Sequence, residues 1–297
     1  RIVWLGEPTP SAPGVAAVTP TAPPTPDRGV APGRIVYMLK EDREDTWDIY
    51  SMRSDGTDPI RLTREEANDM SPVWSPDGRR IVFVSDRDGN RDVYTMNADG
   101  NEQIDLSRNP AEDWTPAWSP DGERIAFGSL RDGNWEIYSM DTNGEKLTRL
   151  TANPAPDYGP AWSPSGDRIA FVSNRDGNLE IYLMDADGGN ELRFTVDEAT
   201  DQAPRWSPDG SQLVWESYRD GNMELYAANV DGSDLRNLSR DASADDHGPT
   251  WSPWGQRVAF FSNRDGGWDI FSLDIETGER TNLTMSPALE QAPDWGR

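Results

Sequence analysis

Residues 158–195 read YGPAWSPSGDRIAFVSNRDGNLEIYLMDADGGNELRFT, and this stretch decides the fold. Residues 160–162 form a short apolar segment that ends in a Ser-Pro-Ser-Gly turn. Residues 168–173 are rich in β-forming side chains, residues 179–184 alternate polar and apolar, and a last short segment follows. The Asp-Gly pairs between these segments are strong hairpin signals. The pattern predicts four short strands joined by tight turns, with no helix-period segment.

The same unit recurs along the chain in two series with matching steps. The recurring tryptophan, followed by Ser-Pro in all but the last copy, appears at successive spacings of 44, 44, 44, 45 and 44 residues. Its positions are Trp74, Trp118, Trp162, Trp206, Trp251 and Trp295. The tripeptide Arg-Asp-Gly repeats with the same steps, starting at Arg87, Arg131, Arg175, Arg219 and Arg264. Repeated four-stranded units of about 40–45 residues are typical of propeller blades.

The two ends of the repeat are complementary fragments. The first unit begins at Arg34 without its Trp-Ser-Pro strand, whereas residues 291–297 resemble that strand alone. Five whole units and two fragments make six blades. We therefore expect an all-β, six-bladed β-propeller of four-stranded antiparallel blades, whose C-terminal strand joins the first blade and closes the ring. An open β solenoid is the alternative fold, and it would need polar caps at both ends.

These motifs resemble those of the TolB-like six-bladed β-propeller family, which is related in architecture to the WD-repeat proteins. The shared pattern is acidic-x-x-Pro-x-Trp-Ser-Pro-Asp-Gly, a RIAFVS-like strand, Arg-Asp-Gly-Asn and a DIY-like strand, and it covers residues 34–297. Ser165 and Trp254 depart from it by replacing the turn Asp. The resemblance implies a periplasmic or surface interaction module, or the gating domain of a prolyl peptidase.

Composition narrows the class of partner. The chain has 53 acidic and 28 basic residues and a net charge of −25, which repels nucleic acid and anionic lipid. Such an excess favours cations or basic partners, and adaptation to salt would produce it equally well. The apolar runs are strand-sized, so we expect no membrane insertion of this segment.

Catalytic signatures are sparse. The chain has no cysteine and one histidine, His247, and it contains no Gly-x-Ser-x-Gly elbow. A Ser-His-Asp triad would have to use that single histidine. A hydrolase or lyase that uses two carboxylates is the remaining catalytic alternative, although nothing marks a particular pair.

An acidic residue stands three positions before each strand proline. In a closed ring these carboxylates would surround one mouth of the central channel and attract a cation or a basic segment. The structural alternative is that each accepts backbone N–H bonds at the blade entry. The six residues of this carboxylate ring are Asp69, Asp113, Asp157, Asp201, Asp246 and Glu290.

Two variable positions accompany the ring. Residues that differ at a fixed position of a repeat are those through which a scaffold recognises a partner. The alternative is that they are ordinary exposed residues without a role in binding. The variable recognition slot, two residues before the proline, holds Met70, Trp114, Tyr158, Gln202, His247 and Gln291. The second position, before the third strand, holds Trp47, Trp135 and Trp268 in three blades. These tryptophans could form an exposed aromatic patch that contacts a partner or stacks on a sugar ring. The alternative is that they pack against the next blade.

A second acidic series lies at the start of the third strand of each blade. Together with the Arg-Asp-Gly arginines it predicts regular structural ion pairs. Its members are Asp48, Asp92, Glu136, Glu180, Glu224 and Asp269.

Residues 1–33 form a separate segment. Residues 6–33 are dominated by Pro, Ala, Thr and Gly, which is typical of a semi-extended linker. Ahead of them, Ile2, Val3, Trp4 and Leu5 read as a strand. This segment is either a tether following an upstream membrane anchor or an assembly element that donates its strand to another copy.

The sequence as a whole favours a non-catalytic, extracytoplasmic scaffold that binds a protein or peptide at one propeller face or channel mouth. The alternative is a structural subunit of an extracellular assembly or filament joined through the tail. No cofactor is expected apart from a cation in the central channel.

Overall fold

The computed structural model describes residues 33–41 and 45–296 of the chain. All regular structure in this part is β-strand, arranged in six four-stranded antiparallel sheets that we number as blades 1 to 6. Blade 1 contains β1 (Arg34–Lys40), β2 (Asp48–Arg53) and β3 (Ile60–Arg61). Blade 2 contains β4 (Asp69–Trp74), β5 (Arg80–Ser85), β6 (Asp92–Asn97) and β7 (Ile104–Asp105).

The next four blades repeat this pattern of three six-residue strands and a shorter outer one. Blade 3 contains β8 (Asp113–Trp118), β9 (Arg124–Ser129), β10 (Glu136–Asp141) and β11 (Thr148–Arg149). Blade 4 contains β12 (Asp157–Trp162), β13 (Arg168–Ser173), β14 (Glu180–Asp185) and β15 (Leu192–Arg193). Blade 5 contains β16 (Asp201–Trp206), β17 (Gln212–Ser217), β18 (Glu224–Asn229) and β19 (Arg236–Asn237). Blade 6 contains β20 (Asp246–Trp251), β21 (Arg257–Ser262), β22 (Asp269–Asp274) and β23 (Arg280–Asn282).

The last strand, β24 (Leu289–Trp295), closes the ring. It pairs antiparallel with β1 and places Trp295 opposite Ile35 and Glu290 opposite Leu39. Contacts between successive inner strands run from β4 through β8, β12, β16, β20 and β24 back to β4. The predicted six-bladed propeller, with its C-terminal strand in the first blade, is confirmed.

The core lies between blades rather than within one sheet. In one cluster, Ile137 and Leu150 of blade 3 pack with Trp162, Phe171 and Tyr182 of blade 4. The Phe171 and Tyr182 rings lie 5.7 Å apart between centroids. Each repeat tryptophan packs in such a cluster between adjacent blades. Because burying a large side chain contributes about 1.5–3 kcal/mol, adjacent blades stabilise each other at every seam.

One turn glycine makes a close contact across each of several seams. Gly188, in the turn between β14 and β15, has a φ of +89° and lies against the backbone carbonyl of Leu150 in blade 3. A Cβ atom at Gly188 would lie 2.3 Å from that oxygen. Gly177, in the Arg-Asp-Gly turn, has a φ of +108° and open space around it.

We expect Gly188→Ala to lower the free energy of unfolding by about 3 kcal/mol or more, because both the backbone conformation and the contact with blade 3 are disturbed. Gly177→Ala is the matched control and should cost about 1–2 kcal/mol, because only the positive φ opposes it. Urea denaturation followed by tryptophan fluorescence measures both. Equal losses would show that the seam contact contributes nothing.

Candidate functional site

A β-bulge shapes each strand that lines the central channel. In β12, Tyr158 pairs with Val172 and Ala161 pairs with Ala170, and the ladder shifts register between them. Gly159, within the bulge, has a φ of +64°. Bulges reorient the side chains beside them, which here flank the channel. The equivalent residues all have positive φ, and they are Ser71, Thr115, Gly159, Ala203, Gly248 and Ala292.

The predicted carboxylate ring lies inside the blades. All six side chains belong to residues with 0% exposure, so they do not present free carboxylates to solvent. In blade 4, the Arg175 guanidinium donates to both oxygens of Asp157, at 2.9 and 2.8 Å, and its Nε donates to Ser173 Oγ at 2.8 Å. The same guanidinium lies 4.6 Å from the centre of the Tyr182 ring. The pair therefore ties the first three strands of the blade together.

The Arg-Asp-Gly arginines bind this series rather than the acids that begin the third strand. The ion pairs join Arg87 to Asp69, Arg131 to Asp113, Arg175 to Asp157, Arg219 to Asp201 and Arg264 to Asp246. The pairing predicted from sequence was therefore wrong in its partners. In blade 4 the third-strand acid, Glu180, instead binds Arg193 at 2.7 Å and the Thr195 hydroxyl. Sequence spacing does not show which of two acidic series a long arginine side chain reaches.

Three of the six residues of the variable slot line one end of the channel. Trp114, Tyr158 and Gln202 line a cavity of about 320 Å³ there, together with Glu216. We call these four residues and their cavity the variable mouth. Met70 is buried in blade 2, whereas His247 and Gln291 are half-buried in blades 6 and 1. The structure thus brings residues from different blades to one opening.

The position before the third strand lies beside the slot. Arg91 of blade 2 stacks on the Trp114 ring of blade 3, with its guanidinium carbon 4.5 Å from the ring centre. Trp135 and Tyr158 both border Gly128, which has no side chain to separate them. The aromatic positions are spread around the ring, with Trp47 in blade 1, Trp135 in blade 3 and Trp268 in blade 6.

Glu216 is a feature of this mouth that sequence reasoning missed. It accepts hydrogen bonds from Gln202 Nε2 at 2.9 Å and from the Gly248 N–H at 2.6 Å, and it lies 3.0 Å from His247 Nδ1. Burial lowers the pKa of His247, but the hydrogen bond and charge of Glu216 outweigh burial and raise it. The sequence repeat could have revealed Glu216, because the equivalent residues of the other blades are uncharged: Met38, Val84, Gly128, Val172 and Phe261.

The opposite end of the channel is built from repeat residues. It encloses a larger cavity of about 710 Å³ that we call the tryptophan mouth. Two of its indole N–H groups donate to a carbonyl of the preceding blade, Trp118 to Val73 at 3.3 Å and Trp206 to Ala161 at 3.1 Å. The tryptophans therefore stabilise the seams. They are Trp74, Trp118, Trp162, Trp206, Trp251 and Trp295.

Two kinds of feature are absent from the described residues. Within residues 33–41 and 45–296, no cluster of three or more His, Asp or Glu side chains is arranged to hold a metal ion. The same part of the chain contains no helix long and apolar enough to cross a membrane. The predicted tail strand, Ile2 to Leu5, and the linker through residue 32 lie outside the described residues.

Comparison with known proteins agrees with this architecture. A profile of the TolB beta propeller domain matches residues 30–115, 103–202 and 195–297. The chain belongs to the TolB β-propeller family. The predicted resemblance is confirmed.

Similarity to individual TolB proteins is more limited. The chain is 41% identical over 58 residues to the Tol-Pal system protein TolB of Bordetella pertussis, which is 20% of this chain and 13% of that protein. The crystal structure of TolB from Acinetobacter baumannii matches with a TM-score of 0.80 and 23% identity, over 89% of this chain and 66% of that one. A putative TolB from Agrobacterium tumefaciens matches with a TM-score of 0.71 and 23% identity, over 89% and 99%. These two structures show a shared fold.

One buried carboxylate in this TolB-family propeller predicts a pH dependence of stability. Burial raises the pKa of Glu290 to about 7, although the Ser286 hydroxyl partly opposes the shift. Between pH 4.5 and 7 the folded state therefore holds a proton that the unfolded state releases, so this group makes stability fall as the pH rises, and the decrease ends above about pH 7. Asp201, with a pKa raised to about 6 chiefly by burial, acts in the same direction.

We expect Glu290→Gln to remove a decrease on the order of 2 kcal/mol in unfolding free energy between pH 4.5 and 7.5. Urea denaturation at several pH values measures the slope. Glu276→Gln, at an exposed turn, is the control and should leave the slope unchanged. A Glu290→Gln variant with the wild-type slope would contradict the assignment.

Proposed function

We propose that the protein is a non-catalytic, extracytoplasmic interaction scaffold that binds a peptide segment of a partner protein at the variable mouth. The observation that carries this proposal is the contrast between the two ends of one channel. One end repeats the same tryptophan in every blade, whereas the other is lined by Trp114, Tyr158 and Gln202, which are three different side chains at one repeat position of successive blades. A repeat needs identical residues for its own geometry and leaves differing residues available for recognition.

The chemistry of the variable mouth suits a peptide. Trp114 and Tyr158 offer partly exposed rings, and Arg91 stacks beside Trp114. Trp, Tyr and Arg are the residues that dominate binding energy at protein interfaces. The bulged inner strands hold these side chains on a closed ring, which limits the entropy lost on binding.

Relatedness supports the proposed location and class of partner. The Bordetella relative is named as a component of the Tol-Pal system, and we extend a role in protein interaction outside the cytoplasm to this chain. A non-catalytic role is consistent with the single histidine, which is bound to Glu216 beside two aromatic rings.

The test is selection from a random dodecapeptide display library on the immobilised protein, followed by calorimetry of selected peptides. We expect the double variant Trp114→Ala, Tyr158→Ala to weaken binding by about 10-fold or more, because two aromatic anchors are removed.

Trp254→Ala is the matched control for the loss of an aromatic ring. Trp254 is exposed in a turn beside Pro253, which lines the tryptophan mouth. Its removal should leave peptide affinity unchanged. Selected peptides that bind the double variant as tightly as the wild type would refute binding at the variable mouth.

A further inference from the structure

A second irregularity of the repeat lies deeper in the channel. The residue between the strand proline and the repeat tryptophan lines the tryptophan mouth in every blade. In chain order these residues are Val73, Ala117, Ala161, Arg205, Thr250 and Asp294. Arg205 and Val73 also line the cavity of the variable mouth. Arg205 therefore stands at the waist between the two cavities.

Arg205 makes little use of its hydrogen-bonding capacity. A guanidinium has five N–H donors, and the one hydrogen bond that the Arg205 side chain makes to the described residues is to the carbonyl of its neighbour Pro204, at 3.1 Å. No described carboxylate forms an ion pair with it. Burial lowers the pKa of Arg205, and the negative charges of Asp294 and Glu216 oppose this effect.

The two nearby carboxylates have donors of their own. Asp294 accepts from the Trp74 N–H at 2.8 Å and the Thr250 hydroxyl at 3.3 Å. Glu216 is held by Gln202, His247 and Gly248, as described above. Both acids therefore stabilise the positive charge of Arg205 through their own negative charges, without occupying its N–H donors.

We infer that Arg205 is an anion-binding residue at the channel waist that receives the carboxylate of a bound ligand. A guanidinium with free donors gains strongly from a carboxylate, because the planar fork forms two parallel charge-assisted hydrogen bonds. Arg205 is partly exposed and lines both cavities, so its donors are accessible to a ligand.

The source of the carboxylate is an acidic side chain of the peptide, and in this the inference rests on the proposed function. Trp114, Tyr158 and Arg205 line the same cavity, so a peptide held by the rings brings its side chains within reach of the guanidinium. A free small acid has no such anchors.

The decisive variant is Arg205→Ala. Alanine occupies the same position in blades 3 and 4, as Ala117 and Ala161, so the substitution is compatible with the fold. Arg205→Lys keeps the charge and removes the fork. Arg168→Ala, at an exposed position on β13, controls for the loss of one positive charge.

The measurement combines these variants with the peptides selected by display. We expect an acidic residue to be enriched at one peptide position, and its replacement by the corresponding amide to weaken binding to wild type about 10- to 100-fold. In the Arg205→Ala protein, the same acid-to-amide replacement should weaken binding less than 3-fold. Its effect should be intermediate in the Arg205→Lys protein and the same as in wild type in the Arg168→Ala protein.

Peptides that need Trp114 and Tyr158 but show no acidic preference, or an acidic residue that matters equally in Arg205→Ala, would overturn this inference and leave the proposed function standing. Failure to select any peptide that depends on the mouth would instead refute the proposed function.

Succinate is the second probe, and it separates the two sources of a carboxylate. It is titrated into the protein while the Arg205 Nε–H resonance, identified by its loss in Arg205→Lys, is followed by NMR. A saturable shift without peptide selection would support the anion site and assign it to a free acid. No shift together with no peptide selection would overturn the anion site as well.

Discussion

A four-stranded β-sheet has two faces, and in this protein each face is buried against the next blade. The apolar clusters join residues of adjacent blades, so a blade alone would expose the side chains that should hold it together. Every seam must therefore be filled, including the one between the last blade and the first. Pairing of β24 with β1 satisfies this requirement, because it completes blade 1 with a strand from the other end of the chain. The straight stack of a solenoid would leave two faces uncovered.

In blades 2 to 6, an ion pair joins the strands within each blade. The buried acid of the inner strand is neutralised by an arginine from the hairpin turn, which also stacks on an aromatic ring of the third strand. A buried carboxylate without such a partner would be costly to keep ionised. The strongly acidic composition is thus partly structural, since acidic residues recur inside every blade as well as on the surface.

The departures from the repeat concentrate in the channel. Three charged residues, Arg205, Glu216 and Asp294, occupy places where most other blades have apolar or small residues, and all three border the channel cavities. The repeat does not need them, because the other blades fold with Val, Ala, Thr, Gly, Met or Phe there. Because these three side chains come from two different blades, the charged group that they form near the waist exists only in the assembled ring.

The sequence determined the number of blades, the strands and the closure of the ring, because each follows from local turn chemistry and a regular spacing. It also identified the variable slot that holds Trp114 and Tyr158. It did not determine the partners of the buried acids, since Glu180 is closer to Arg175 along the chain than Asp157 is, yet Asp157 is the partner in the fold. Only the tertiary structure showed that the predicted ring is buried and that Arg205 faces the waist, because β-bulges and the meeting of six blades depend on contacts between residues far apart in sequence.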